Sequence, residues 1–192
     1  MPANRVNQTL YLGQYGDIEN FLQSDLYKGG ELGSRVIDTE GKEYQVVKLD
    51  SGATASAGPG LVVAGDLAFI KAKASYLVTN DLAQAQAAES ASHNAKRNMV
   101  CGVFVRDVSA AQLGSAGTHV LIQTRGRRAT VKSDGGGDFV AGDKCIAANA
   151  ATAVIDRVAA GTAPPNTNVG TVAAAESGGF TAVNLELPGV DF

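Results

Sequence analysis

His93 and His119 are the only histidines of this chain, and Cys101 and Cys145 the only cysteines. A thiol beside an imidazole is the minimum of a nucleophile–base pair, and Cys101 with His119 is the pair that can be drawn. Neither histidine stands in an HExxH or paired-CxxC pattern, so zinc chemistry has no recognisable ligand set. His93 lies in the polar context Ser92-His93-Asn94 and reads as a solvated residue. His119 opens an apolar run and reads as a packed, hydrogen-bonded histidine rather than a base. Asp134, Asp138 and Asp143 surround the triple glycine at 135–137, which invites a calcium reading. Calcium wants roughly six to eight oxygens in a defined order, and the EF-hand order is absent, so a flexible acidic turn is expected. The same glycines lack the Lys-Ser/Thr ending of a phosphate loop. Arg125, Arg127 and Arg128 are the densest basic group, and no aromatic platform interleaves with them. They read as a solvated turn or as a contact to carboxylates of a neighbouring subunit, ahead of nucleic acid. The residues therefore suggest no catalytic site, no metal and no cofactor.

Composition points the same way. The 192 residues fit one domain with or without extended arms, and the 45% hydrophobic content owes much to alanine. Trp is absent and aromatic residues make up 6%, so large core side chains are sparse. Charged residues reach 18%, below the roughly 25% usual for a globular domain. A thin core and a weakly charged surface suggest that partner subunits stabilise part of the chain. The net charge of -3 gives no signal for nucleic acid or an anionic membrane. No window reaches the roughly 18 apolar residues that would span a bilayer, and no signal-peptide pattern is seen. Two cysteines make no disulfide framework; buried free thiols are the expectation, with a bridge left open. Synthesis in a reducing cytoplasm is the matching compartment.

The elements that must position these residues are short strands and glycine turns. Residues 1–33 read as an N-terminal arm, with a short helix over 17–26 and scattered apolar groups at Tyr11, Tyr15, Phe21, Leu22, Leu26 and Tyr27. Such groups dock either on a neighbour or back on their own domain. Residues 34–192 read as a β-rich domain. Its clearest hairpin turns at Glu40-Gly41, where glycine supplies the left-handed angle. Strands are expected at 67–71, 76–79, 99–105, 119–124, 144–148, 153–158, 168–173 and 180–187, with 129–132 short and Gly126 at a turn. Asn80-Asp81 can cap an Ala-rich helix over 82–96, against an extended alternative. Val63-Ala64-Gly65-Asp66 recurs as Val140-Ala141-Gly142-Asp143, a turn corner opening a strand in each case. The long interval between the two copies argues against a simple tandem repeat. The fold class is mainly β, a small β-barrel or β-sandwich with one Ala-rich helix and an extended arm.

In their order along the chain, several segments resemble bacteriophage head decoration, or capsid cement, proteins. They are the Gly-Lys-Glu-Tyr hairpin at 41–44, the corner at 63–66, Asn98-Met99-Val100-Cys101-Gly102-Val103-Phe104, the line 117–123 and the second corner at 140–143. The resemblance implies a compact β domain on the outer capsid surface of a virion, bound to the major capsid protein. It implies a homotrimer or other homo-oligomer, an arm reaching across subunits, and no catalytic residue. The Ala-rich insertion around 80–97 departs from the pattern. Candidate subunit contacts are the six apolar arm residues and Arg125, Arg127 and Arg128. Other readings are a major capsid or tail protein, or a small-barrel enzyme or ligand-binding module.

Overall fold

A computed structural model describes residues 10–11, 32–53, 61–85, 99–109, 111–113, 118–136, 138–148, 153–158 and 168–190, with positions 10, 11, 118 and 129 described by backbone alone. The described strands are β1 (Leu10–Tyr11), β2 (Arg35–Ile37), β3 (Glu43–Leu49), β4 (Leu67–Ala72), β5 (Leu77–Thr79) and β6 (Val100–Phe104). They continue as β7 (Thr118–Lys132), β8 (Lys144–Ala147), β9 (Ile155–Arg157), β10 (Asn168–Ser177) and β11 (Phe180–Glu186). All belong to one sheet, in the order β1-β2-β3-β5-β4-β6-β7-β11-β10-β8-β9, and β3 also pairs with β7. That extra pairing closes β3, β5, β4, β6 and β7 into a small barrel, the first ring. A barrel removes edges that an open sheet would leave bare.

Alternation fills the ring. Ala68 and Ile70 of β4, Cys101 and Phe104 of β6, and Val120 and Ile122 of β7 join Val47, Leu49 and Val78 in one buried cluster. Leu67 and Phe69 of β4, with Val100 and Val103 of β6, point the other way into a second buried cluster. Both faces of β4 and β6 are thus covered, which is why these strands read as continuous apolar runs rather than alternating ones.

β7 is one continuous strand, not a strand, a turn at Gly126 and a second short strand. Gly126 has φ of 86° and lies against Lys42 within the strand, so it bends the path without reversing it. The first half of β7 pairs with β3, and the second half pairs with β11. From there β11, β10, β8 and β9 continue the sheet. They curl until a parallel bridge joins Ile155 of β9 to Ser133, the residue after β7.

The two halves repeat pairing by pairing. Ala68 faces Gly102 as Cys145 faces Gly170. Phe104 faces Ile122 as Val172 faces Val183. Ile70 faces Val78 as Ala147 faces Ile155, and Val47 faces Val120 as the β7 residue Val131 faces Thr181. A register shift follows Ala68–Gly102 in the first half and occurs at the corresponding Gly170–Asn168 step in the second. The expectation against a tandem repeat is therefore corrected. The repeat lies in register more than in residue identity, and β7 serves both halves.

The second half is filled with smaller side chains. Where the first ring has Ile70, Phe104 and Ile122, the second has Ala147, Val172 and Val183. The missing volume is supplied from outside, because Leu67, Phe69 and Leu82 share the second half's cluster. Close packing at interior density explains the need for such donors.

The Ala-rich helix does not begin where capping predicts. Asp81 accepts a bond from Ala83 N, but the chain then makes a single 3-10 turn at Leu82–Gln84, and Ala85 is already extended. Leu82 is buried and fixed by its place in the core, so tertiary packing overrides propensity there. The rest of that expected helix, and the one over 17–26, lie outside the described residues. So does most of the arm.

Candidate functional site at the joint between the rings

The two Val-Ala-Gly-Asp corners are the same local structure. Asp66 N donates to Val63 O and Val63 N donates back to Asp66 Oδ2, at 3.0 Å each. Asp143 N to Val140 O at 3.0 Å and Val140 N to Asp143 Oδ2 at 2.9 Å repeat it. Gly65 and Gly142 have φ of 97° and 98°, a conformation that any other residue adopts only under strain.

Their surroundings differ. In the first ring the seam between parallel strands closes directly, with Lys48 N bonded to Tyr76 O at 2.9 Å. In the second half the first corner sits in the equivalent seam. Lys132 N bonds Gly65 O at 3.0 Å, and Leu67 N bonds Ala153 O at 2.9 Å. The first corner is therefore a wedge that joins the rings. The second corner has no such place. Gly65 is buried, whereas Ala141 and Gly142 are exposed and Val140 is 58% exposed. Lys144 stands where the first corner has Leu67, so the strand behind the second corner is suited to solvent rather than to an apolar seam.

At the wedge lies a fully buried carboxylate. Asp66 is fully buried and accepts from Asn80 Nδ2 at 3.0 Å, and Lys132 Nζ lies 3.4 Å from its other oxygen. Asn80, also fully buried, donates in addition to Leu61 O at 2.9 Å. Such satisfied networks are what allow charge inside a protein. Sequence reasoning missed this trio. The echo Val47-Lys48-Leu49-Asp50 with Val131-Lys132-Ser133-Asp134 is the signal that could have placed Lys132 opposite the corner.

The Cys101–His119 pair is not assembled. Cys101 points into the first ring and donates to Ala68 O, whereas His119 precedes the inward Val120 on β7 and so occupies the other face. Both cysteines are free. Burial pushes the Cys101 thiol far up, and pushes that of Cys145 up to about 12, with the nearby Lys144 opposing the shift. Neutral buried thiols of this kind are poor nucleophiles. His93 lies outside the described residues.

The acidic group is rearranged. Asp134, Asp138 and Glu176 bring carboxylate oxygens within 4.8 Å of one another, and Glu176 of β10 takes the place expected for Asp143. Asp143 is tied into its own corner. Three carboxylates can offer oxygens to a hard cation. Here Arg157 Nη2 lies 3.0 Å from Asp138 Oδ2, Ser133 Oγ donates to Glu176 Oε1 at 2.6 Å, and Gly136 N donates to Asp134 Oδ1.

Of the basic group, Arg125 and Arg127 are exposed on β7, opposite Glu186 and Asn184 of β11, and Arg125 lies 3.6 Å from Glu43. Arg128 is 7% exposed and donates to Val105 O at 3.1 Å, so it acts as an internal strut instead of a surface contact. Tyr11 falls in β1, which runs parallel to β2 with Tyr11 opposite Ile37. Tyr15, Phe21, Leu22, Leu26 and Tyr27 lie outside the described residues. Comparison with models of known families, with curated proteins and with solved structures returns no match.

Proposed function

We propose that this chain is a virion structural protein that binds the outer surface of an assembled capsid and stabilises it by contacts between subunits. The observation that supports a scaffold over a catalyst is the destination of its reactive side chains. Both thiols donate to backbone carbonyls, and His119 is on the opposite face of β7 from Cys101. The segments that resemble decoration proteins coincide with the hairpin at Gly41, the two corners, β6 and the start of β7. A closed barrel fused through β7 to a second set of strands suits a protein that acts by occupying a lattice. Many modest contacts repeated over a shell add up to large resistance to heat or pressure. The partner is the major capsid protein, with further copies of this chain as neighbours.

Attachment is assigned to the arm. Removal of residues 1–30 is expected to abolish binding to capsids while the two rings keep their thermal transition. Binding is read by co-sedimentation of the purified chain with undecorated capsids. Full occupancy by the truncated chain would refute the assignment.

A further inference from the structure

We propose that Lys132 and Asn80 become joined by an isopeptide bond, with Asp66 as the acid–base group that relays protons between them. Three observations converge. Asp66 and Asn80 are fully buried, and the Lys132 side chain is 24% exposed. The two oxygens of Asp66 are divided, Oδ1 3.4 Å from Lys132 Nζ and Oδ2 3.0 Å from Asn80 Nδ2. The corner holds the carboxylate still, because Val63 N also donates to Oδ2, and Leu61 O holds the Asn80 amide nitrogen at 2.9 Å.

This placement fits an amide exchange. The first step is the transfer of one proton from Lys132 Nζ to Asp66 Oδ1, which leaves a free amine beside a carboxylic acid. The Nζ lone pair attacks Asn80 Cγ, forming the new C–N bond. Asp66 then passes a proton to Nδ2, the Cγ–Nδ2 bond breaks, and a second proton takes the same route. Two protons in all move from Nζ to the departing nitrogen, which leaves as ammonium. The single positive charge is conserved, and no oxidant or other reactant is needed. Proton relay requires a heavy-atom reach of about 3 Å, which the Asn80 contact at 3.0 Å meets and the Lys132 contact at 3.4 Å approaches. Confinement of amine and amide on one buried carboxylate raises their effective concentration enormously.

The product would staple the end of β5 in the first ring to the second half of β7, across the wedge. Intact-mass spectrometry of the full chain, after folding at neutral pH, decides the matter. The expected result is a mass about 17 Da below the sequence value, the loss of one ammonia as nucleophile replaces leaving group. Proteolysis should then yield a branched peptide linking Asn80 to Lys132. Lys132→Arg, which keeps a cation against Asp66, and Asp66→Asn should each show the full mass. A full mass for the unaltered chain would overturn the proposal, as would a loss that persists in Lys132→Arg.

Discussion

Gly170→Ala is expected to be the most destabilising small substitution in the second half of the molecule. A Cβ at this position would lie 2.1 Å from the backbone oxygen of Asn184 and 2.9 Å from Val183 Cγ1. Asn184 belongs to β11, directly paired with Thr171, so the obstacle is the neighbouring strand itself. Relief requires β10 and β11 to separate where Gly142 N and Val172 N also anchor the second corner. Overpacking against backbone should cost roughly 3–5 kcal/mol. Gly102 is its counterpart in the first ring, facing Ala68 as Gly170 faces Cys145. There the nearest atoms belong to the Ile122 side chain, at 2.7–3.0 Å. A side chain can shift, so Gly102→Ala should cost less, about 1–3 kcal/mol. Urea titration of both variants gives the comparison, and equal midpoints would contradict it.

The second large effect separates the two corners. Asp66→Ala removes the acceptor of Val63 N and Asn80 Nδ2, and the anion beside Lys132, in a fully buried setting. Removing one side of a buried, charge-bearing network should cost roughly 3–5 kcal/mol. Asp143→Ala removes one bond, to Val140 N, from an exposed turn. A lost cap of that kind costs about 1 kcal/mol. Sequence alone ranks the two aspartates as equals, because both end the same four residues. A similar loss of stability in the two variants would show that the first corner is not a wedge.

The strands are legible in the sequence because each carries its own signal. The Tyr44-to-Leu49 run, Leu67 to Ile70, Val100 to Phe104 and Phe180 to Leu185 combine β-branched or aromatic residues with glycine or proline punctuation. The hairpin at Gly41 is legible for the same reason, and Gly41 has the expected left-handed φ of 77°. Closure of the ring is not legible. It depends on the pairing of β3 with β7 across many residues, and periodicity says nothing about such distant partners. Gly126 misleads because a glycine with positive φ marks a reversal in one setting and a bend within a strand in another. Asp81 does cap, as its sequence context says, yet it caps only one turn. Burial of Leu82 decides that, and no local propensity encodes it.

The joint is the least legible part. Asp66, Asn80 and Lys132 come from a corner, the residue after β5 and the end of β7, and each looks ordinary in its own neighbourhood. The repeat itself is spread over single positions, such as Gly102 with Gly170 and Lys48 with Lys132, and the neighbours of these residues differ. Register preserves the geometry even where side chains have diverged from Phe104 to Val172 or from Ile70 to Ala147.

Two rings share β7, and one of two identical corners is consumed in joining them. Amide hydrogen exchange, measured residue by residue in the native protein, tests this most directly. The Leu67 and Lys132 amides, bonded to Ala153 O and Gly65 O, should exchange only through openings close to global unfolding. The exposed Ala141 amide of the second corner should exchange at least about a hundredfold faster. Leu67 and Lys132 exchanging as quickly as Ala141 would contradict the wedge, and with it the fused pair of rings.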